Sequence, residues 1–197
     1  MSYDFRDHYF LKAKKENYLA RAIYKLEEIQ KKHKILRSGD RVLDLGAAPG
    51  SWIQLTSGVV GPGGLVVGVD LKAIEHPFPK HVVTMQRDIY EESFIEDLLR
   101  DYGAFDVVLS DMAPSTSGFK VADCARSELL YERAFELARR LLKPQGHFLA
   151  KIFQGSDFHK LLQETKKYFG QVKVVKPDAS KKQSKEIYIL AMRFKKP

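Results

Sequence analysis

The sequence predicts an α/β domain built on a mainly parallel sheet. Short apolar runs that are typical of buried strands alternate along the chain with segments of helical periodicity. This alternation is typical of strand–helix–strand units, which place parallel strands side by side. The chain has 197 residues, of which 44% are hydrophobic and 29% charged. These values fit one folded domain with a large core, so we expect residues 1–197 to form a single domain.

The N-terminal half of the chain provides three of the predicted strands. Residues 1–15 lack periodicity and are expected to form an arm, whereas apolar residues at three- and four-residue intervals predict a helix over 17–34. The apolar run at 41–45 predicts a buried strand, which a turn of Gly, Ala and Pro joins to a helix over 51–59. Further apolar runs predict strands at 65–69 and 81–85.

The C-terminal half provides four more strands. Helices are predicted over 91–100, over 123–142 and, with Ser156 as the N-cap, over 157–168. Strands are predicted at 105–109, 147–153, 172–175 and 187–192. In a parallel α/β sheet, ligands bind beyond the carboxyl ends of the strands. The residues that follow each strand are therefore the first candidates for function.

Charge is distributed unevenly along the chain. Residues 1–41 carry 11 basic and 6 acidic side chains, residues 42–165 carry 12 and 17, and residues 166–197 carry 10 and 2. Basic ends that converge in the fold would form a surface for a polyanion such as nucleic acid. The alternative is that the lysines only keep the surface soluble, and composition favours neither interpretation.

Composition also excludes several classes of protein. No apolar run approaches the ~20 residues of a membrane span, and the N-terminus has no apolar stretch of the signal-peptide type. The single cysteine, Cys124, excludes an intramolecular disulfide and a multi-cysteine zinc site. We therefore expect a cytoplasmic protein in a reducing compartment, without a membrane partner.

A small-residue loop and two carboxylates predict a nucleoside site. The loop 46–50 after the first strand matches neither G-x-G-x-x-G nor a P-loop, which argues against a dinucleotide oxidoreductase. Asp70 ends the second strand, where a carboxylate can accept hydrogen bonds from both ribose hydroxyls. Asp88 follows the third strand, where its carboxylate could accept a hydrogen bond from an adenine amino group. An adenosine-bearing cofactor without phosphates indicates S-adenosyl-L-methionine, whereas the loop alone is also compatible with a simple strand-to-helix turn.

Charged residues at strand ends form a second candidate cluster. Asp111 follows the fourth strand, and Lys151 lies at the fifth strand in otherwise apolar surroundings. Lysine is rarely buried without a partner, so Lys151 is a candidate for function. For Lys25 on the first helix and Glu186 at the start of the last strand, a surface charge or a structural ion pair is the favoured interpretation when each is taken singly.

These segments resemble the FtsJ family of RNA ribose 2′-O-methyltransferases, which is also called the RrmJ family. The matching segments extend from residue 21 to the end of the chain. They include 42–52, 110–114, 151–155 and 176–180, together with Ser184 and Glu186. The combination is highly specific, although no single segment is. The chain is most similar to the bacterial type that methylates a uridine of large-subunit ribosomal RNA.

The resemblance implies a Rossmann-like, S-adenosylmethionine-dependent methyltransferase fold with seven strands, an antiparallel last strand and helices on both faces. It implies a catalytic set formed by Lys25, Asp111, Lys151 and Glu186. It also implies cofactor contacts from Gly50, Trp52, Asp70, Asp88 and Asp111. No metal is required by the implied reaction.

We expect an in-line displacement in which a ribose 2′-hydroxyl attacks the methyl carbon of the sulfonium. Lys151 is the candidate base, which requires its neutral form, whereas a charged Lys151 would orient the hydroxyl oxygen as a donor. Burial and Lys25 favour the neutral form of Lys151, while Asp111 and Glu186 favour its ammonium form. Asp111 would orient Lys151 and contact the cofactor, and Lys25 and Glu186 would hold the nucleotide.

The implied partner is ribosomal RNA of the large ribosomal subunit, held by basic ends that flank the cleft. The candidates for phosphate contact are Lys12, Lys14, Lys15, Lys31, Lys32, Lys34, Lys173, Lys176, Lys181, Lys182 and Lys185. One alternative is a methyltransferase of this family that acts on transfer RNA or another RNA. A second alternative is a non-catalytic RNA-binding assembly factor, against which the presence of all four catalytic residues argues. A monomer is the default expectation.

Overall fold

A computed structural model describes residues 8–180 and 184–195 of the chain. Within these residues the chain forms six helices and seven strands. In chain order they are α1 (His8–Lys15), α2 (Ile23–His33), β1 (Arg41–Leu45), α3 (Ser51–Val60), β2 (Leu65–Asp70), β3 (Val82–Gln86), α4 (Phe94–Tyr102), β4 (Phe105–Ser110), α5 (Lys120–Leu141), β5 (Leu142–Phe153), α6 (Phe158–Tyr168), β6 (Phe169–Val175) and β7 (Glu186–Phe194).

The seven strands form one sheet in the order β3-β2-β1-β4-β5-β7-β6. Strands β1 to β5 pair in parallel, and β7 lies antiparallel between β5 and β6. The predicted mainly parallel sheet with an antiparallel last strand is therefore confirmed. The strand order reverses between β1 and β4, which is the position where α/β sheets bind ligands.

Helices cover both faces of the sheet because side chains alternate between the faces along each strand. Leu149 and Tyr188 lie in the core layer that contains Leu26 of α2 and Trp52 of α3. The neighbouring residues 148, 150, 187 and 189 pack in the opposite layer, which contains α4, α5 and α6. Lys151 follows Leu149 by two residues, so it lies on the α2 and α3 side of the sheet.

The N-terminal segment differs from its prediction. Residues 8–15, which were expected to belong to an arm, form α1. This helix buries Ala13, and Lys12 lies 4.4 Å above the centre of the Tyr24 ring. Aromatic and cation–π contacts of Tyr9 and Lys12 with Tyr24 attach this short helix to α2. The helix predicted over 17–34 begins only at Ile23, after a turn in which Asn17 has a φ of 58°.

The C-terminal helices and strands also differ from their predicted limits. Asp157, and not Ser156, is the N-cap of α6, and it makes no side-chain capping hydrogen bond. Strand β5 begins at Leu142, five residues before its predicted start, because Leu142 pairs with Phe105 ahead of an irregularity in the register. None of the helices in the described ranges is long and apolar enough to cross a membrane.

Candidate active site

A cavity of about 550 Å³ opens at the carboxyl ends of β1, β2 and β4. Its lining includes Gly46, Asp70, Asp88, Tyr90 and Asp111. Asp70 ends β2, Asp88 comes shortly after β3 and Asp111 directly follows β4, and these strands end at the same edge of the sheet. The tertiary structure therefore brings together the three acidic residues that the sequence placed at strand ends.

The loop after β1 passes close to the segment after β4. Gly46 has a φ of 75°, and a Cβ atom at this position would lie only 2.6 Å from Cγ of Met112. Glycine avoids both the left-handed strain and this overlap. The absence of a side chain at Gly46 therefore allows the loop to form this wall of the cavity.

Backbone amides position two of the carboxylates in the cavity. The amides of Ala48 and Lys72 donate to Asp70, at 3.0 Å to Oδ2 and 2.9 Å to Oδ1 respectively. The amide of Tyr90 donates to Oδ1 of Asp88 at 2.9 Å. Each carboxylate oxygen has a further lone pair, so both groups can also accept hydrogen bonds from a ligand.

Lys151 and Asp111 form a buried ion pair. The Lys151 Nζ lies 3.0 Å from Oδ1 of Asp111, and the two side chains are 6% and 17% exposed. Lys151 also donates a hydrogen bond to the backbone carbonyl of Asp111. These two contacts to one residue fix the direction of the lysine. Since Asp111 lines the cavity, the pair lies at its wall.

A second ion pair lies on the other side of Tyr188. The Lys25 Nζ is 2.6 Å from Oε1 of Glu186, and their side chains are 11% and 13% exposed. Ser180 donates a hydrogen bond to the same Glu186 oxygen at 3.1 Å. Lys25 Nζ also lies 5.9 Å from the centre of the Tyr188 ring. The four residues that were expected to form a catalytic set thus come from α2, β5, β7 and the segment after β4, and form two adjacent pairs.

The two other predicted cofactor residues do not line the cavity. Gly50, with a φ of 109°, faces Phe78, whose ring would lie 2.8 Å from an added Cβ atom. Trp52 is buried, and its indole Nε1 donates a hydrogen bond to the carbonyl of Ala22 at 2.9 Å. The Trp52 hydrogen bond holds the first turn of α3 against the residue before α2. The expected contacts of Gly50 and Trp52 with a cofactor stay predictions.

Comparison with known proteins identifies the family. A family model described as FtsJ-like methyltransferase matches residues 18–194. This chain belongs to the FtsJ-like methyltransferase family. Ribosomal RNA large subunit methyltransferase E of Syntrophobacter fumaroxidans is 64% identical over 196 residues, which cover 100% of both proteins. Its counterpart of the same name in Bdellovibrio bacteriovorus is 48% identical over 99% of this chain and 100% of that protein.

Two solved structures share the fold of this FtsJ-like chain. A ribosomal RNA methyltransferase from Plasmodium falciparum has 27% identity and a TM-score of 0.77, covering 90% of this chain and 98% of that one. Fibrillarin from Aeropyrum pernix, solved with bound S-adenosyl-L-methionine, has 18% identity and a TM-score of 0.60, covering 86% and 73%. The fibrillarin likeness supports the fold alone. The methyltransferase fold and the family resemblance expected from the sequence are both confirmed.

Two buried residues of this FtsJ-like site were missed by the sequence interpretation. Tyr188 is fully buried, and its hydroxyl donates a hydrogen bond to Oδ1 of Asp111 at 2.7 Å. Burial raises the pKa of Tyr188 well above its ordinary range, and the carboxylates of Asp111 and Glu186 raise it further, so its phenol stays protonated. The available signal was the two-residue spacing from Glu186, which places both side chains on one face of β7.

Asp44 is the second missed residue. It is fully buried in β1, and within the described residues neither of its carboxylate oxygens has a hydrogen-bond partner. Burial raises the pKa of Asp44 well above its ordinary range, with smaller effects from Asp111 and Asp70. The signal in the sequence was an aspartate between Leu43 and Leu45 in an otherwise apolar strand. Burial without a partner therefore favours the neutral form of this carboxyl group.

A basic groove joins the two ends of the FtsJ-like chain. Lys32 and His33 of α2 and Lys173 and Lys176 around β6 line a groove of about 270 Å³. Burial lowers the pKa of His33, and the nearby ammonium groups of Lys173 and Lys32 lower it further. The expected convergence of the basic ends is confirmed for these residues. Two other predicted members of the basic ends, Lys181 and Lys182, lie outside the described residues.

Proposed function

We propose that this chain transfers the methyl group of S-adenosyl-L-methionine to the ribose 2′-hydroxyl of a uridine in large-subunit (23S) ribosomal RNA, in the assembled or late-assembling subunit. One observation carries the proposal. Asp111 lines the large cavity and is also the partner of Lys151, so a single residue connects the expected donor site to the expected base. The 64% identical relative named for large-subunit ribosomal RNA supports the choice of RNA.

The cavity has the donor and acceptor groups that S-adenosylmethionine needs. Asp70 has free lone pairs for the ribose hydroxyls, and Asp88 has them for the adenine amino group. The glycine at position 46 lets the loop after β1 pack against Met112 and so form this wall of the cavity. When bound, the cofactor supplies a methyl group on a positively charged sulfur, which is an excellent leaving group.

The residues of the chain align the acceptor and remove its proton. In its neutral form, Lys151 accepts the proton that the 2′-hydroxyl loses as the oxygen bonds to the methyl carbon. Asp111 holds the Lys151 Nζ through its carboxylate and its carbonyl. Lys25 and Glu186 hold the nucleotide beside this pair. Positioning of two reactants in this way supplies roughly 7–11 kcal/mol in favourable cases.

The basic groove supports RNA as the acceptor. Lys25 and Lys32 are seven residues apart on α2, so they project from the same side of this helix. Lys25 lies in the ion pair with Glu186, and Lys32 lines the basic groove. RNA bound along this side would place phosphates at Lys32 and Lys173 while a ribose reaches Lys151. Replacement of a phosphate-binding lysine lowers the slope of log affinity against log salt by about 1. We expect Lys32→Gln and Lys173→Gln to show this effect and the exposed Lys160→Gln to show none.

Methyl transfer from labelled S-adenosylmethionine tests the substrate. The acceptors are large ribosomal subunits, free ribosomal RNA and bulk transfer RNA, all lacking the modification, and nuclease mapping locates the label. Label on a ribose of large-subunit RNA is the expected result. Label on transfer RNA alone would keep the chemistry and overturn the substrate. Cofactor binding without any transfer would favour a non-catalytic assembly factor.

Replacement of Lys151 tests the base. We expect Lys151→Ala to lose at least about 100-fold in the rate of transfer, which is typical for a positioned acid–base group. Cofactor binding by calorimetry should persist. Lys143→Ala is a matched control, because Lys143 lies on the same strand and pairs with Asp106 at 2.8 Å. Near-normal turnover of Lys151→Ala would remove this residue from the mechanism.

A further inference from the structure

Tyr188 touches both ion pairs of the candidate active site. Its hydroxyl is 2.7 Å from Oδ1 of Asp111, which is also the oxygen 3.0 Å from the Lys151 Nζ. Tyr188 and Lys151 are directly opposite each other in the antiparallel pair of β5 and β7. On the other side, the ring lies below the ammonium of Lys25.

We infer that Tyr188 is a positioning residue for methyl transfer, whose hydroxyl fixes the Asp111 carboxylate and thereby controls the direction and the charge state of Lys151. This inference rests on the proposed function, because it assigns Lys151 the role of base. A fully buried phenol needs a hydrogen-bond partner, and the partner here is the carboxylate that holds Lys151. If the position required only apolar packing, phenylalanine would fill it without a hydroxyl to satisfy.

The shared oxygen explains how Tyr188 affects Lys151. A carboxylate that accepts a hydrogen bond from a neutral phenol has part of its charge compensated, so it attracts a neighbouring ammonium less strongly. Without the phenol hydroxyl, the Asp111 carboxylate stabilises the charged form of Lys151 more strongly and is freer to rotate. The neutral form of Lys151 that accepts the hydroxyl proton is then less favoured, and the pH dependence of kcat reports this change.

Several titratable groups surround these residues, and each belongs to a different part of the fold. Lys151 faces Asp111 from β5, Glu186 precedes Tyr188 on β7, Lys25 lies on α2, and Asp44 lies on β1. The packed neighbour from α3 is the uncharged Trp52, whose ring centre is 5.9 Å from that of Tyr188. Removal of the Tyr188 hydroxyl leaves all of these groups in place, so its effect on the pH profile is separable from theirs.

The test compares the pH dependence of kcat for Tyr188→Phe and Tyr131→Phe. Both tyrosines are fully buried, and both have a hydroxyl hydrogen bond of 2.7 Å, but Tyr131 binds Thr165 in the opposite core layer. For Tyr188→Phe we expect the rising limb of the profile of kcat against pH to move to higher pH by about one unit, so that activity is recovered in alkaline buffer. On that limb, at a fixed pH, kcat falls about tenfold. The KM for RNA should stay unchanged in both variants.

A second variant changes the donor strength while keeping its geometry. Site-specific 3-fluorotyrosine at position 188 has a more acidic phenol, which is a stronger hydrogen-bond donor. We expect it to move the rising limb down, opposite to the effect of Tyr188→Phe. This variant also provides the test if Tyr188→Phe fails to fold.

Three results would overturn the inference. They are a Tyr188→Phe profile that coincides with the wild type, a uniform loss of kcat without recovery at alkaline pH, and an equal shift in Tyr131→Phe. For the 3-fluorotyrosine variant, a rising limb of kcat that stays at the wild-type pH or moves to higher pH would also overturn the inference. Absence of transfer by the wild-type protein would instead contradict the proposed function, so the two failures are distinguishable.

Discussion

Replacement of Gly46 by alanine tests the close approach that forms the wall of the cavity. With a φ of 75°, alanine at this position would adopt a left-handed backbone conformation, which costs about 1–2 kcal/mol. The added Cβ would lie 2.6 Å from Cγ and 3.1 Å from both Cα and N of Met112. Carbon atoms normally approach to about 3.5–4.0 Å, so the Met112 backbone must move as well as its side chain.

The overlap adds to the cost of the backbone conformation. Overpacking of this kind costs about 1–3 kcal/mol, so the two effects together predict a loss of about 2–5 kcal/mol in the free energy of unfolding. Gly39→Ala is the matched control, because Gly39 has a φ of 84° and no heavy atom within 4 Å of an added Cβ. Both substitutions reduce the entropy of the unfolded chain equally, so this contribution cancels in the comparison.

Urea unfolding of the two variants measures the difference. We expect Gly46→Ala to be less stable than Gly39→Ala by about 1–3 kcal/mol, which is the contribution of the contact with Met112 alone. Calorimetry should also show weaker S-adenosylmethionine binding for Gly46→Ala only, because Gly46 and Met112 both line the cavity. Equal stabilities and equal affinities would refute the argument from steric overlap.

Two further substitutions test the electrostatics of the site. Burial raises the pKa of Asp44 in the folded state, so the folded protein keeps a proton that the unfolded chain releases above a pH of about 3.9. The free energy of unfolding therefore falls as the pH rises from that value towards the pKa of the folded state. Asparagine does not titrate, so Asp44→Asn lacks this loss, and the difference in melting temperature between the variant and the wild type should grow in favour of the variant from pH 4.5 to 8. Melting temperatures that change with pH in parallel for the two proteins would contradict this. Glu186→Gln leaves the ammonium of Lys25, which is 11% exposed, without its counter-ion, and should cost about 3 kcal/mol in urea unfolding. The double variant with Lys25→Met should regain most of this loss, and equal losses in both would show that the ion pair is not responsible.

The local pattern of the sequence was sufficient for most of the sheet. Strands that are buried on both faces appear as continuous apolar runs, so β1, β2 and β4 were predicted almost at their observed limits. The pattern failed where long-range contacts decide the structure. The helix α1 exists because of its contacts with Tyr24, and the early start of β5 depends on the pairing of Leu142 with Phe105. Neither partner is near in sequence, so neither feature has a local signal.

The residues of the two ion pairs were named by the family resemblance, whereas the sequence pattern alone determined the fold class and the position of the cavity at the strand ends. It did so because chain alternation fixes a parallel sheet, and a parallel sheet brings the ends of its strands to one edge. Only the tertiary structure decided which groups share a contact. Tyr188 and Asp111 are 77 residues apart, and their hydrogen bond depends on the insertion of β7 beside β5. Within the part of the chain that the structure describes, the same packing leaves the Asp44 carboxylate without a partner, because a buried polar group depends on neighbours that only the folded chain supplies.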